Sequence, residues 1–374
     1  MNLKKLEKLL RLGLNNNMNI LYGVAGEGLG HASHALEIAT FLEKKRKDKV
    51  IIVTYDQAYD VLKNKFKVVK VRGLHPIYDD GVLRYRKTLF FNLRNFTKNI
   101  KEREKLKELI KQFKPDVCIT DMEPVTSFLA YLYNIPLISL SNQNRFTNLD
   151  SYVPKKYLKD YLIAKSTIKL INLKPDYYIA LSLSDSKIKK ENTYIVSPII
   201  KEDIRKLKPK NKDKILVYLS KENKQVIDLL KKTDEKFIVY GYNINKKEEN
   251  LEFKTPKTFN KDFGECKAII STSGFTSMGE AIYLKKPYLA LPLKGQFEQM
   301  FNALFLEEHG LGNYSEKLNL DQLNDFIFHI EKYKRNLENF SKKRKLKPEK
   351  VLYVLNNILN KIDKTSSIIK SKSP

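Results

Sequence analysis

Two cysteines are all that 374 residues contain, and Cys118 and Cys266 lie in separate strand-like runs with no partner at metal-ligand spacing. That excludes a disulfide scaffold or a zinc ribbon and fits a reducing cytoplasm. Long apolar runs are missing as well. A stretch such as Ile135–Leu140 falls far short of the ~20 residues a membrane-spanning helix needs, and nothing at the start is composed like a secretory signal. Negative charge is in deficit: 43 acidic against 70 basic residues give a formal net charge of +27. Such an excess points first to a polyanionic partner, but no nucleic-acid module or aromatic-basic RNA motif accompanies it, which disfavours nucleic acid. Hydrophobic residues at 42% and aromatics at 11% are ample for a packed core, so this is not a disordered basic chain.

The length predicts two domains. Residues 1–17 read as a basic amphipathic extension, with leucines at helical spacing among lysines and a stop at Asn15-Asn16-Asn17. From Ile20–Val24 onward, strand-like runs alternate with helical ones: a helix from about Ser33, strands near Val50–Thr54, Lys67–Val71, Asp116–Thr120, Pro136–Leu140 and Asp176–Leu181. That alternation is the signature of a parallel, doubly wound α/β sheet over residues 18–200. Ser197–Lys214 is rich in Pro, Lys and Asp without an apolar period and reads as a linker. The alternation restarts at Ile215–Leu219 and defines a second domain, residues 201–345. Residues 346–374 read as a C-terminal helix, able to cross back to the first domain, and a disordered basic tail. Two such domains are expected to face each other across a cleft lined by strand C-terminal ends, where ligands bind in sheets of this kind.

Glycine is scarce, at 14 residues, yet Gly23, Gly26, Gly28 and Gly30 crowd at the end of the first strand and directly behind it. Clustering there serves positive φ or close backbone approach, and the N–H groups of the following helix attract anions. Neither a dinucleotide G-x-G-x-x-G nor a G-x-x-x-x-G-K-[ST] loop is formed, since His31 stands where the third glycine would be. Asp56, behind the second strand, keeps a nicotinamide or flavin enzyme as a minor alternative. His31 and His34 are two of only five histidines. An imidazole at a strand's C-terminal edge, beside a helix N-terminus, suits a general base, and His31 is the candidate, with His34 supporting. Asp121 and Glu123, after the fourth strand, are either helix-capping groups or contacts to an acceptor hydroxyl or to His31. Asn142-Gln143-Asn144, after the fifth, is a similar polar edge.

In the second half, Ser271–Thr276 closes a strand and opens a helix, again an anion-binding geometry. A glutamate one turn on, Glu280, can accept two hydroxyls, as a ribose diol requires. Gln296, Glu298 and Gln299 group amides and a carboxylate in the next loop, the kind of side chains that read sugar hydroxyls.

The run Ser273-Gly274-Phe275-Thr276-Ser277-Met278-Gly279-Glu280, with Pro287, Pro292 and Gln296 to Ala303, resembles the donor-nucleotide signature of GT-B glycosyltransferases. It is most similar to family 28, which includes the N-acetylglucosaminyltransferase of peptidoglycan lipid synthesis. Gly26-Glu27-Gly28-Leu29-Gly30-His31 resembles that family's N-terminal glycine-histidine loop. The resemblance covers residues 18 to about 315. It implies a GT-B fold of two Rossmann-like domains and an inverting, metal-independent transfer of a hexose or N-acetylhexosamine from a UDP-sugar to an acceptor hydroxyl. It places Glu280 on the ribose, Ser273, Gly274 and Thr276 by the pyrophosphate, Gln296, Glu298 and Gln299 at the sugar, and His31 at the reaction centre. It further implies Phe259 and Asn260 beside the base and Ser220 by the phosphate; Asp121, Glu123 and Asn142, from their place directly after strands, are the acceptor-side candidates. Two positions depart from the pattern: Leu219-Ser220-Lys221-Glu222 replaces a glycine-rich phosphate loop, and Gln296 replaces an aspartate.

No Asp-x-Asp occurs, so no metal clamp on a sugar diphosphate is expected, and UDP-sugar is a substrate rather than a cofactor. Charge on the leaving diphosphate then falls to helix N-termini, hydroxyls and bases. A UDP-sugar 2-epimerase of the same architecture is the alternative. The positive charge concentrates in the extension, in Arg84–Lys114 with its interleaved phenylalanines, and in Lys332–Lys350. The resemblance implies an acceptor glycan or lipid-linked sugar, so these bases are candidates for docking at an anionic membrane surface on the cytoplasmic side.

Overall fold

The computed structural model describes residues 17–73, 77–79, 82–83, 87, 100–219 and 222–372. Residues 1–16 of the expected extension, Ser220, and residues 84–86 and 88–99 of the basic stretch lie outside that set. The chain divides into two compact units, one of residues 1–79, 84–199 and 347–374, the other of residues 80–83 and 200–346.

In the first unit, seven strands form a parallel sheet: β1 (Asn19–Val24), β2 (Lys49–Thr54), β3 (Val68–Lys70), β4 (Val117–Asp121), β5 (Leu137–Ser141), β6 (Tyr177–Leu181) and β7 (Thr193–Val196). Their order is β3-β2-β1-β4-β5-β6-β7, so the direction of winding reverses between β1 and β4. Helices α1 (Leu29–Thr40), α2 (Asp56–Leu62), α3 (Ile100–Phe113), α4 (Pro124–Leu132), α5 (Asn144–Asn148) and α6 (Leu158–Ile171) make the connections. Covered on both faces, the central strands are apolar along most of their length rather than alternating: Ile20, Leu21, Tyr22, Ile51, Ile52 and Ile119 are all buried.

The second unit repeats the plan with β8 (Ile215–Tyr218), β9 (Phe237–Tyr240), β10 (Lys246–Glu248), β11 (Leu251–Phe253), β12 (Ala268–Ser271), β13 (Tyr288–Ala290) and β14 (Gly312–Tyr314), in the order β10-β11-β9-β8-β12-β13-β14. Only the β10–β11 pair is antiparallel, at the edge. Its helices are α7 (Glu202–Arg205), α8 (Lys224–Leu230), α9 (Phe259–Glu265), α10 (Phe275–Tyr283), α11 (Phe297–Glu308), α12 (Leu320–Phe328) and α13 (Ile330–Lys343). The two-sheet α/β architecture expected from the alternation is present.

The last helix, α14 (Lys350–Lys372), belongs to the first unit and is helical through the region read as a tail. A buried cation holds it there. Arg46 pairs with Asp48 at 2.7 Å and donates to Asn356 and Asn360 of α14. The Ser197–Lys214 segment is likewise more ordered than its composition predicts. It contains α7, its Lys210 and Lys212 amides donate to Gly264 and Glu265 carbonyls, and the Lys286 ammonium donates to the carbonyls of Cys266 and Lys210. Polar backbone-to-backbone bonds of this kind leave no apolar period in the sequence, which is why the stretch reads as a linker.

Candidate active site

The first unit gathers its candidate residues where β1 and β4 end. Val24 pairs in register with Asp121, the last residue of β4. Behind β1 the chain turns through the glycine loop. At Gly26 a Cβ would lie 2.4 Å from the Tyr55 carbonyl oxygen, so this glycine serves close packing against the start of α2. Gly28 has φ 77° and caps α1. The helix therefore starts at Leu29, four residues before the expected Ser33, and Gly30 and His31 lie in its first turn. The positive φ at Gly28 ends the loop abruptly and lets the helix begin through Gly30 despite that residue's poor propensity.

Three residues apart on α1, His31 and His34 share a face and meet one carboxylate. His31 Nδ1 lies 2.9 Å from Asp121 Oδ1, and His34 Nδ1 lies 3.5 Å from Asp121 Oδ2. The imidazole rings are edge-on to each other at 6.3 Å. Asp121 is completely buried and His34 nearly so, whereas the His31 side chain keeps 18% of its surface exposed. Burial alone would raise the Asp121 carboxyl, but the His31 charge and hydrogen bond, then those of His34, outweigh it and hold it below the ordinary carboxylate range. With Nδ1 turned to a carboxylate, the proton of neutral His31 belongs on Nδ1, leaving the Nε2 lone pair to accept another.

The two acids after β4, alternatives in the sequence, have separate tasks. Met122 at φ 57° swings the chain so that Glu123, not Asp121, caps α4: its oxygens accept from the Val125 and Thr126 amides at 2.8 and 2.7 Å. Glu123 is fully buried in this role. Removing a cap that holds two amides costs about 1–2 kcal/mol. Glu123→Ala is accordingly expected to lower the thermal midpoint, with Glu123→Gln falling between it and the parent in a melting series. Asn142 is buried, and its carbonyl accepts from Arg145 Nε at 2.9 Å. Asn144, part of the same polar edge, ties β5 to β6 through Ser139 and Ile179 carbonyls. These bonds tie the edge to the ends of β5 and β6, a role that polar composition alone does not distinguish from an exposed rim.

In the second unit, Gly274 caps α10 and Glu280 lies in that helix's second turn, 2% exposed. Its partner is Lys201, whose Nζ stands 3.3 Å from Glu280 Oε1. Burial raises the Glu280 carboxyl, and the Lys201 charge, its ammonium and its backbone N–H pull the other way without cancelling the rise. Lys201 was not foreseen. It sits in the Pro- and Lys-rich stretch read as linker, where one lysine carries no distinguishing signal. A carboxyl raised in the folded state allows stability that is complete below the ordinary carboxylate pKa and declines as pH rises through the folded value. Glu280→Gln should therefore match the parent's thermal midpoint near pH 4 and exceed it at pH 8, as differential scanning fluorimetry would read.

Around Glu280 the hydroxyls are already engaged. Ser273 Oγ donates to the Gln299 carbonyl at 2.7 Å and its own carbonyl accepts from Asn302 at 2.9 Å, locking the β12–α10 turn to α11. Ser273 is fully buried, so its side chain shapes the turn. Gln299 accepts from the Leu293 amide at 2.9 Å and donates to Gln296 at 2.6 Å, fixing the loop before α11. Thr276, Gln296 and Glu298 are half-buried. Tyr288 reaches under the turn to the Thr272 carbonyl at 2.6 Å, its phenol pushed up to about 12 by burial. Phe259 and Asn260 open α9, with Phe259 edge-on to Tyr218 and Tyr240. A turn of this kind offers backbone N–H groups at a helix start with a carboxylate one turn on, a geometry for an anion and a diol. Whether Ser220 joins them lies outside the described residues.

The family described as Glycosyl transferase family 1 matches residues 18–331, spanning both units. An uncharacterized glycosyltransferase of Methanosarcina mazei is 24% identical over 79% of this chain and 85% of its own. The fold is similar to that of a calicheamicin glycosyltransferase, with a TM-score of 0.62 at 13% identity over 96% of this chain and 100% of that one. It is also similar to a spinosyn rhamnosyltransferase complexed with thymidine diphosphate, at 0.59 and 13% over 90% and 100%.

Proposed function

The chain belongs to glycosyl transferase family 1 and is a glycosyltransferase, and from that premise we propose a specific reaction: inverting transfer of a hexose or N-acetylhexosamine from a UDP-sugar to an acceptor hydroxyl, with His31 as general base. One observation carries the reading, the His31–Asp121 contact at 2.9 Å. His31 Nε2 takes the acceptor's hydroxyl proton as its oxygen attacks the anomeric carbon, and the bond from that carbon to the diphosphate breaks with its electron pair leaving on the diphosphate. Asp121 holds Nδ1–H and steadies the imidazolium that forms. The base needs no metal. On the donor side, the α10 N-terminus meets the diphosphate and Glu280 the ribose diol, with Phe259 and Asn260 by the uracil and Gln296 and Glu298 by the sugar. The solved relatives bear on the donor's class: one is complexed with thymidine diphosphate. A carboxylate suited to two hydroxyls favours ribose over deoxyribose in this chain.

The acceptor is read as a glycan or lipid-linked sugar at an anionic membrane face. No described helix is long and apolar enough to cross a membrane. Exposed Tyr131 and Leu132 at the end of α4 and Leu170 at the end of α6, with Lys174 5.1 Å over the Tyr131 ring, support a peripheral contact. The test is to incubate the full chain with UDP-sugars and a lipid extract, following UDP release and labelled lipid. Acceptor-dependent UDP release that His31→Ala abolishes supports the reading, and conversion to an isomeric UDP-sugar without acceptor overturns it.

A further inference from the structure

The mechanism above uses only one oxygen of Asp121. The other faces His34, a residue with no part in the transfer. Its side chain is 3% exposed, cannot reach a substrate from inside the unit, and sits with Nδ1 3.5 Å from Asp121 Oδ2. We propose that His34 is a positioning residue, holding Asp121 Oδ2 so that only Oδ1 serves His31 and so setting the pH at which the His31–Asp121 pair takes up its proton. The proposal rests on the reading of His31 as base for its catalytic consequence, but its electrostatic content stands independently.

The physical argument concerns one negative charge in a dry place. Asp121 has no exposed surface, so its charge is met only by protein groups, and each oxygen faces an imidazole Nδ1, at 2.9 Å for His31 and 3.5 Å for His34. Charge shared between two donors binds each less strongly than charge met by one. With His34 in place, Asp121 orients His31 while its charge is shared between the two imidazoles. Without His34, Oδ2 loses a donor and the full charge falls to His31, so the pair gains its proton at higher pH. The two groups titrate as a unit, and the observable is their joint midpoint.

Other ionisable groups lie on the elements that carry or flank the pair. From β1 comes Tyr22, pushed far up by burial and then by the Asp121 charge, so it stays protonated. From β4 comes Cys118, likewise raised by burial. Glu123 is held by two amides of α4. Glu37 follows His34 by one turn of α1, and Tyr55 and Asp56 come from α2 and the residue before it. All are common to every variant compared, so their effect cancels.

The experiment is a histidine NMR titration of the full chain with imidazole 15N labels, on the parent, His34→Leu and His34→Asn, with pH profiles of kcat alongside. Asparagine can place an amide N–H near the position of Nδ1, whereas leucine keeps the volume and loses the donor. The expected result is a His31 midpoint about one pH unit higher in His34→Leu, a tenfold change in proton affinity, largely restored in His34→Asn, with the acid limb of kcat moving by the same amount. Should His34→Leu fail to fold, the parent and His34→Asn still report: a His34 Nδ1–H signal that follows Asp121→Asn is required. Identical midpoints in the folded variants, or a His34 proton on Nε2, overturn the proposal. A shifted midpoint in a chain that transfers no sugar sinks the assignment of His31 as base and leaves the electrostatic role of His34 standing.

Discussion

Asp121→Asn is expected to lower kcat on the order of 10^3–10^4-fold while UDP binding stays within a few-fold of the parent. The substitution is nearly isosteric, but it turns a pure acceptor into a group that presents either an amide or a carbonyl to His31. The carboxamide no longer specifies the Nδ1–H tautomer, so Nε2 loses its lone pair in part of the population, and the imidazolium formed during transfer loses its counter-charge. His31→Ala removes the proton acceptor itself and should reach a similar floor, in the 10^2–10^4-fold range ordinary for a general base. Because the two act as one unit, the double variant should be little worse than either single. Single-turnover rates at saturating donor, with UDP affinity measured calorimetrically, would check this. A fall in UDP affinity matching the fall in rate would instead make the cluster a support of the fold.

Glu280→Gln is expected to weaken UDP binding by about 10–100-fold, the loss that follows when hydrogen bonds to a charged acceptor, worth ~1.5–3 kcal/mol, become bonds to a neutral one. The informative comparison is between UDP and its 2′-deoxy counterpart. In the parent the deoxy compound should bind more weakly, because a buried carboxylate is left with one hydroxyl instead of two. In Glu280→Gln that gap should shrink, a non-additivity that ties the residue to the ribose edge rather than to the stability of α10. Lys201 makes the effect larger than a surface contact would. Its ammonium stands against Glu280 Oε1 in a site 2% exposed and offsets part of the cost of burying the carboxylate's charge. Equal affinity for both nucleotides in the parent would overturn the ribose assignment and favour a deoxyribose donor. The same variant is expected to be the more stable one at alkaline pH, so lost binding with a raised melting point separates function from folding.

Much of the architecture was legible because it rests on periodic signals. Apolar runs bounded by turn residues located the central strands of both sheets, since a parallel sheet covered on both faces must be apolar there, whereas the short outer strands β10, β11 and β14 carry no such run. Scarce glycine crowded behind β1 marked a loop with backbone constraints, and Gly26 and Gly28 do meet such constraints, one through packing on Tyr55 and one through positive φ. The start of α1 was misplaced because Gly30 lies inside it, and local propensity argues against a helix that tertiary packing imposes.

Which residues make chemistry was less visible. Asp121 and Glu123 are two positions apart and equally able to cap a helix on paper. Only the left-handed backbone at Met122 decides that one caps α4 and the other faces the histidines. Ser273 and Gln299 read as substrate contacts because their side chains suit sugar and phosphate; in the structure Ser273 Oγ ties the β12–α10 turn to α11 and Gln299 accepts from the Leu293 amide. Lys201 carried no local signal, because its meaning comes from Glu280, far along the chain. The sequence by itself determined the fold class and the pairing of a glycine-histidine loop with a serine-glycine-glutamate segment, since period and residue type are local properties. Only the tertiary structure decided that one buried carboxylate serves two imidazoles, because that depends on register between strands and on a helix face, which no stretch of the chain records alone.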